Sequence, residues 1–140
     1  MKIYLDFDGT VVEHQYPLIG GCNLGCLEII DKLNKAGHEI VLNTMRVEFD
    51  NRLLMEAIEF INHSMTNLKN NTQIYSFKNT DHKYEPTKWD WNLHFNTGRI
   101  FIDDVCIGIP LKNGILSSRK MVDWDLLDLE FIKHGLYIIT

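Results

Sequence analysis

Several features that would assign this chain to a class are absent or scarce. Its longest apolar runs fall far short of the roughly 20 residues that a membrane-spanning helix needs, and no signal-peptide pattern precedes the first predicted strand. The only cysteines are Cys22, Cys26 and Cys106, an odd number without zinc-site spacing, so neither a disulfide framework nor a thiolate metal site is expected. We therefore expect a cytoplasmic protein that does not interact with a membrane.

An excess of positive charge is also absent. The formal net charge is -5, which argues against a broad nucleic-acid surface, since such a surface is basic. A small phosphorylated substrate held by a few local cations is compatible with this charge, and a phosphorylated nucleic-acid end is not excluded. Apolar residues make up 45% of the 140 residues and charged residues 24%, so residues 1–140 are expected to fold as one domain.

Hydrophobic patterns predict an α/β fold. The predicted strands are 1–7, 39–44, 73–77 and 99–102, and the predicted helices are 24–35, 48–63, 87–94 and 123–134. Asn23 is the expected N-cap of the first helix. Strands that alternate with helices favour right-handed βαβ units. The sequence therefore predicts a three-layer, Rossmann-like domain with a mostly parallel sheet flanked by helices.

Acidic residues follow two of the predicted strands. Asp6 and Asp8 follow the first strand, and Asp103 and Asp104 follow the last core strand, while Thr44 ends the second. Closely spaced carboxylates repel each other and resist dehydration, so their presence indicates a bound cation. Because ligands collect at the carboxyl ends of parallel strands, we expect these side chains to converge. Mg²⁺ is the expected ion, since it prefers oxygen ligands.

The same residues suggest phosphoryl chemistry. An aspartate beside a divalent cation can attack phosphorus and form an aspartyl-phosphate, which water then hydrolyses. A second acid, Asp8, would protonate the leaving oxygen and later deprotonate the water. Gly9 permits a tight turn that brings backbone N–H groups near phosphate oxygens, and Thr44 offers a hydroxyl donor. A lysine is needed to offset the negative charge.

Three segments together resemble the haloacid dehalogenase (HAD) superfamily of phosphohydrolases. The first family motif, Asp-x-Asp-x-Thr, matches 6–10, the second matches Thr44 after an apolar strand, and the fourth matches Asp103 and Asp104 after Ile100-Phe-Ile102. The resemblance, which spans 1–110, implies a phosphatase with Asp6 as nucleophile and Asp8 as general acid/base. It also implies a Mg²⁺ held by Asp6, Asp103 and a carbonyl near Asp8, with Asp104 supporting the metal site.

The lysine of the third family motif is not fixed by the sequence. Lys78, Lys83 and Lys88 are candidates, and Lys88 is preferred because a helix is predicted to begin beside it. The catalytic set is therefore Asp6, Asp8, Thr44 and Lys88. Arg46 is the further candidate for charge balance, and the expected phosphate-binding residues are Gly9, Thr44, Arg46 and Lys88.

Spacing between the motifs leaves no room for a cap domain, so the resemblance implies a small capless member. An open site would admit a large phosphorylated partner, or a small substrate closed in by a second subunit of a homo-oligomer. Two other functions stay open. A receiver-like signalling domain also combines acids, Thr and Lys, although its acids occur in another order. A protein of this fold that only binds phosphate or metal is the third possibility.

Overall fold

A parallel sheet of three short strands organises the computed structural model, which describes residues 1–69 and 71–139. The strands are β1 (Lys2–Leu5), β2 (Glu39–Leu42) and β3 (Arg99–Ile102), in the order β2-β1-β3. β1 pairs with both neighbours in parallel, and its residues from Ile3 to Leu5 are buried. The α/β class and the parallel sheet are therefore as predicted.

Four α-helices connect or follow these strands. They are α1 (Cys26–Lys35), α2 (Asn51–Thr66), α3 (Trp91–Thr97) and α4 (Trp124–Lys133), and a 3₁₀ helix covers Met45–Glu48. A two-stranded antiparallel ribbon of β4 (Leu111–Lys112) and β5 (Met121–Val122) lies between β3 and α4. No sequence pattern predicts this ribbon, because two-residue strands are too short for an alternating pattern.

Two helices, α1 and α3, begin at residues other than the predicted ones. The N-cap of α1 is Gly25, with φ of 87°, and not Asn23. The Asn23 amide instead donates to the carbonyls of Thr10 and Val122. α3 does not begin near Thr87, because the Asp90 carboxylate caps it by accepting from the N–H groups of Asn92 and Leu93.

The strand predicted at 73–77 is wrong. The chain comes beside β2 slightly later, where Leu42 donates to the Lys78 carbonyl and Thr80 donates to the Leu42 carbonyl. This single parallel bridge between Leu42 and Asn79 is too short to be a strand. It nevertheless fixes the path of the segment that follows, which carries Lys83.

Core packing joins the sheet to its helices. Buried side chains form a hydrophobic cluster that includes Leu5 of β1, Phe7 just after it, Leu33 of α1, Ile61 of α2 and Trp124 of α4. Each fully buried side chain of this size contributes roughly 1.5 to 3 kcal/mol through removal of apolar surface from water. None of the described helices is long and apolar enough to cross a lipid bilayer.

His94 in α3 is a buried histidine whose two ring nitrogens have no hydrogen-bond partner among the described residues. It packs against the rings of Trp89 and Trp91. Burial lowers the pKa of His94 below the ordinary value of 6.5, although nearby Asp90 and Glu130 oppose this effect. Between the lowered pKa and 6.5, the unfolded chain binds a proton that the folded chain does not.

The contribution of His94 to stability is therefore full above pH 6.5 and declines as the pH falls toward its folded-state pKa. We expect the unfolding free energy of the wild type to fall when the pH is lowered from about 7 to about 5, and we expect His94→Leu to make this fall smaller. Urea denaturation of the wild type and the variant at both pH values measures this difference. An identical loss in the two proteins would contradict the assignment.

Candidate active site

The register of the sheet aligns three polar residues at its carboxyl edge. Leu5 is opposite both Leu42 and Ile102, so the next residues, Asp6, Asn43 and Asp103, emerge side by side. The backbone pairing continues one step further, because Asp6 donates to the Ile102 carbonyl and Asn43 to the Leu5 carbonyl. Rigid strands therefore position the first residues of the site.

Three carboxylates meet at this edge. Asp6, Asp103 and Asp104 each offer an oxygen, and these oxygens all lie within 4.8 Å of one another. Asp6 and Asp103 are buried, with 7% and 2% of their surfaces exposed. Acids that are almost a hundred positions apart in the sequence thus form one acidic cluster.

Lys83 supplies the positive charge inside the acidic cluster. Its Nζ atom lies 3.2 Å from Asp6 Oδ1 and 2.6 Å from Asp103 Oδ2, and it also donates to the Asn43 carbonyl at 2.8 Å. The Lys83 backbone N–H donates to the carboxylate of Glu48. All three acceptors of the ammonium group come from the ends of the three strands.

The preference for Lys88 is therefore corrected. Lys88 is exposed and does not line the cavity that contains the acids, whereas Lys83 does. Lys78 is also exposed. The error follows from the assumption that the lysine sits at a helix start. The lysine is instead positioned by an irregular segment, which the Asn43 side chain fixes through Thr80 and Tyr84.

Burial is the largest influence on the ionisable groups of the cluster, and the charges of neighbouring groups modify it. Burial, the nearby Asp103 carboxylate and Asp104 raise the pKa of Asp6 well above its ordinary value, although Lys83 opposes this. Burial also raises the pKa of Asp103 against the opposing effect of Lys83. Burial alone would lower the pKa of Lys83, but Asp6 and Asp103 reverse this and raise it. One lysine therefore does not neutralise the three carboxylates.

Arg46 and Asp8 form a second ion pair, beside the cluster. The guanidinium Nε and Nη2 atoms donate to the two Asp8 oxygens, both at 2.8 Å. Arg46 is 1% exposed, donates also to the carbonyls of Leu18 and Leu53, and lies over the Tyr16 ring. Burial would lower its pKa, yet the bonds to Asp8 raise it.

This pair bears on two sequence predictions. Arg46, a candidate for phosphate binding, lines the cavity, and four of its hydrogen bonds go to protein acceptors. The predicted metal ligand near Asp8 is a carbonyl, and the Asp8 carboxylate lies outside the group of Asp6, Asp103 and Asp104. The side chain of Asp8 is instead the counterion of a buried arginine, which the sequence spacing could not reveal.

Gly9 packs against the residues that hold Asp104. His14 Nε2 lies 2.7 Å from Asp104 Oδ2, and Arg119 Nη2 lies 3.9 Å from the same oxygen. Gly9 has φ of +82°, and a Cβ atom there would stand 2.1 Å from His14 Nε2 and 2.7 Å from Asp104 Oδ2. The Gly9 N–H donates to the Val12 carbonyl, so the expected phosphate contact of this amide is replaced by a local turn.

Thr44 lies at the cavity with its hydroxyl available. Its Oγ1 accepts from the Arg46 N–H at 3.2 Å, which caps the 3₁₀ helix. Its backbone N–H donates to the Asn79 side chain. Within residues 1–69 and 71–139, the Thr44 hydroxyl has no acceptor, and the residue lines the cavity. Thr44 is therefore suited to donate a hydrogen bond to a ligand.

Two residues that the sequence analysis did not assign to the site support its first loop. The Thr10 hydroxyl donates to Asp6 Oδ2 at 3.2 Å, and the Thr10 carbonyl accepts from the Trp124 indole and the Asn23 amide. Thr10 was visible as the last residue of the first motif. The contribution of Trp124, from α4, depends on tertiary contacts and leaves no local signal.

A cavity of about 230 Å³ contains the acidic cluster. Its polar floor includes Asp6, Thr44, Lys83 and Asp103, and its rim consists of partly exposed side chains, namely Tyr16, Met45, Phe49, Val105 and Arg119. A larger depression of about 860 Å³ lies beside α1. Two of its lining lysines, Lys32 and Lys35, are paired with aspartates, so we consider the smaller cavity to be the candidate site.

These features define an α/β protein with an acidic cleft at the carboxyl edge of a parallel sheet. A solved structure, described as a conserved protein coded by a locus from Bacteroides thetaiotaomicron, is similar to this chain. The two sequences are 29% identical, the match covers 96% of this chain and 90% of that chain, and the TM-score is 0.59. No family model and no curated protein matches the chain.

Proposed function

We propose that this protein is a Mg²⁺-dependent phosphatase that hydrolyses a phosphomonoester through an aspartyl-phosphate, as in the HAD superfamily that it resembles. The observation that carries the proposal is the contact of one lysine with Asp6 and Asp103, which follow different strands. The finer fold assignment, a three-layer Rossmann-like domain without a cap, is part of the same proposal.

Asp6 is the proposed nucleophile. One of its oxygens accepts from Lys83 and the other from Thr10, so the carboxylate is held in a fixed orientation. A fixed nucleophile beside hydrogen-bond donors lowers the barrier to attack on phosphorus, because positioning need not occur during the reaction. The Thr44 hydroxyl is the donor expected to contact a phosphate oxygen. Lys83 would offset the charge of the phosphate, and it would contact a phosphate oxygen by exchanging one of its three bonds to protein acceptors.

The donor set fits a divalent cation. Three ionised carboxylates with one ammonium group carry an excess of negative charge. Burial chiefly raises the pKa of Asp6 and of Asp103, and repulsion from the neighbouring acids adds to it; a bound cation would relieve both effects. Hard oxygen donors select Mg²⁺ over softer metals. Asp6, Asp103 and Asp104 would hold the ion, which would offset the charge of the phosphate.

Asp8 is the proposed general acid/base, and its carboxylate is held in place by two hydrogen bonds from Arg46. As the counterion of Arg46, its carboxylate can accept the proton of an attacking water. To donate a proton to a leaving oxygen, Asp8 would need to give up at least one of its two bonds to Arg46. An aryl phosphate, whose leaving group needs little protonation, is therefore a favourable first substrate.

The organic part of the substrate would face the apolar rim. Phe49 is 66% exposed and Tyr16 46% exposed, with ring centroids 6.3 Å apart. Arg119 adds a cation near Asp104. These contacts favour a small phosphorylated substrate, and the rim also leaves access for a second subunit. A cytoplasmic location is consistent with this substrate class.

Hydrolysis of p-nitrophenyl phosphate by the purified protein tests the proposal. We expect turnover with added Mg²⁺ and its loss when EDTA removes the ion. A stable phosphoprotein without phosphate release would instead support a receiver-like function. Absence of both turnover and phosphoprotein across sugar phosphates, nucleotides and aryl phosphates would favour a protein that only binds phosphate or metal.

A further inference from the structure

Two of the three cysteines are in contact at the start of α1. The Sγ atoms of Cys22 and Cys26 are 3.9 Å apart. Cys22 is exposed, whereas Cys26, the first residue of α1, is buried. Cys106 is also buried, and its thiol donates to the Thr87 carbonyl at 2.7 Å. The structure thus separates a pair of neighbouring thiols from a single enclosed one.

The environment makes Cys22 the more reactive of the three thiols. The hydrogen bond with Cys26 lowers the pKa of Cys22, despite its partial burial. The Cys26 thiol keeps its proton, since its pKa is raised by the contact with Cys22 and by burial. Cys106 is 3% exposed, and burial raises its pKa to about 12, so that thiol stays protonated and enclosed.

We propose that Cys22 and Cys26 are a redox-active pair that forms a reversible disulfide when the protein meets a peroxide. The Cys22 thiolate attacks one peroxide oxygen, so an S–O bond forms, the O–O bond breaks and hydroxide leaves as water after taking a proton. The Cys26 sulfur then displaces the hydroxyl group from the Cys22 sulfenic acid. The S–S bond forms, the Cys26 proton leaves with the hydroxyl as a second water, and the peroxide has accepted two electrons.

The pair is connected to the loop that carries Asp8 and Thr10. Cys22 forms a β-bridge with Val12, the Asn23 N–H donates to the Val11 carbonyl, and the Cys26 thiol lies 3.5 Å from the same carbonyl. Disulfide formation brings the sulfur atoms from 3.9 Å to about 2.05 Å and removes the thiol donor. We therefore expect oxidation to lower turnover, a consequence that rests on the proposed phosphatase function.

Thiol counting and intact mass test the disulfide without any assay of activity. The full chain is treated with hydrogen peroxide, unfolded and alkylated with iodoacetamide. We expect the wild type to lose two hydrogen atoms in mass and to alkylate at Cys106 alone, and dithiothreitol to restore all three sites. Cys106→Ala should form the same disulfide, whereas Cys22→Ser should not.

Alkylation of both Cys22 and Cys26 after peroxide treatment would overturn the proposal, as would oxidation of Cys22 to a sulfinic acid without a cross-link. Phosphatase turnover is then compared before and after oxidation. Equal turnover of the two forms would refute the connection to the loop. If neither form hydrolyses phosphate, the proposed function fails, while the mass measurement still decides whether the disulfide forms.

Discussion

Replacement of Asp6 by Asn is expected to reduce turnover of an aryl phosphate by about 10⁴-fold or more, as loss of a catalytic nucleophile does in other enzymes. The amide is nearly isosteric with the carboxylate, and its single oxygen can keep the hydrogen bond from either Lys83 or Thr10, but it is a poor nucleophile. Steady-state kinetics at saturating Mg²⁺ measure the loss.

Folding should survive this substitution. The raised pKa of Asp6 means that the folded protein disfavours its charge, so a neutral residue removes repulsion from Asp103 and Asp104. We expect an unchanged or higher Tm in metal-free buffer. Asp81→Asn is the matched control, because Asp81 is an exposed aspartate that does not line the cavity. Turnover by Asp6→Asn comparable to that of this control would contradict the role of Asp6.

Replacement of Lys83 by Met is the second change with a large expected effect. The Met side chain fills most of the space but cannot donate to Asp6, Asp103 or a phosphate oxygen. Loss of one preorganised donor typically lowers kcat by about 10²- to 10³-fold. Stability should also fall, by about 3 kcal/mol or more, since removal of one partner from a buried ion pair leaves charge uncompensated.

Lys88→Met separates the two candidate lysines directly. Lys88 is exposed, so its replacement should change unfolding free energy by less than about 0.5 kcal/mol and leave kinetics nearly unaltered. Kinetics and urea denaturation of both variants provide the comparison. A larger loss of activity in Lys88→Met than in Lys83→Met would restore the sequence-based choice and refute the structural one.

The acidic part of the site was predictable because it depends on strand ends. Apolar strands followed by Asp6 and Asp103 predict a shared edge in any parallel sheet, and the register aligns these two residues. The α/β class followed from the same alternation of strands and helices. Thr44 was found for a related reason, since it lies just past the end of β2.

The positions of Lys83 and Arg46 could not be predicted from strand ends. Lys83 reaches the acids through an irregular segment whose backbone N–H groups donate to the side chains of Asn43 and Glu48, and side-chain contacts of this kind have no periodic signature. Arginine is usually a surface residue, but the guanidinium of Arg46 lies over the rings of Phe7 and Tyr16. Charged residues are rarely buried unless paired, so its position required knowledge of Asp8 as its partner.

The central claim is that Asp6, Asp103 and Asp104 jointly hold one divalent cation. Titration with Mn²⁺, followed by electron paramagnetic resonance of the free ion, measures this in the absence of substrate, and Mg²⁺ competition relates it to the proposed ion. We expect one site per chain in the wild type, binding at least about 10-fold weaker in Asp103→Asn, and no change for the exposed Asp125→Asn. A wild type that binds no ion, or an Asp103→Asn variant that binds it equally well, would contradict the claim.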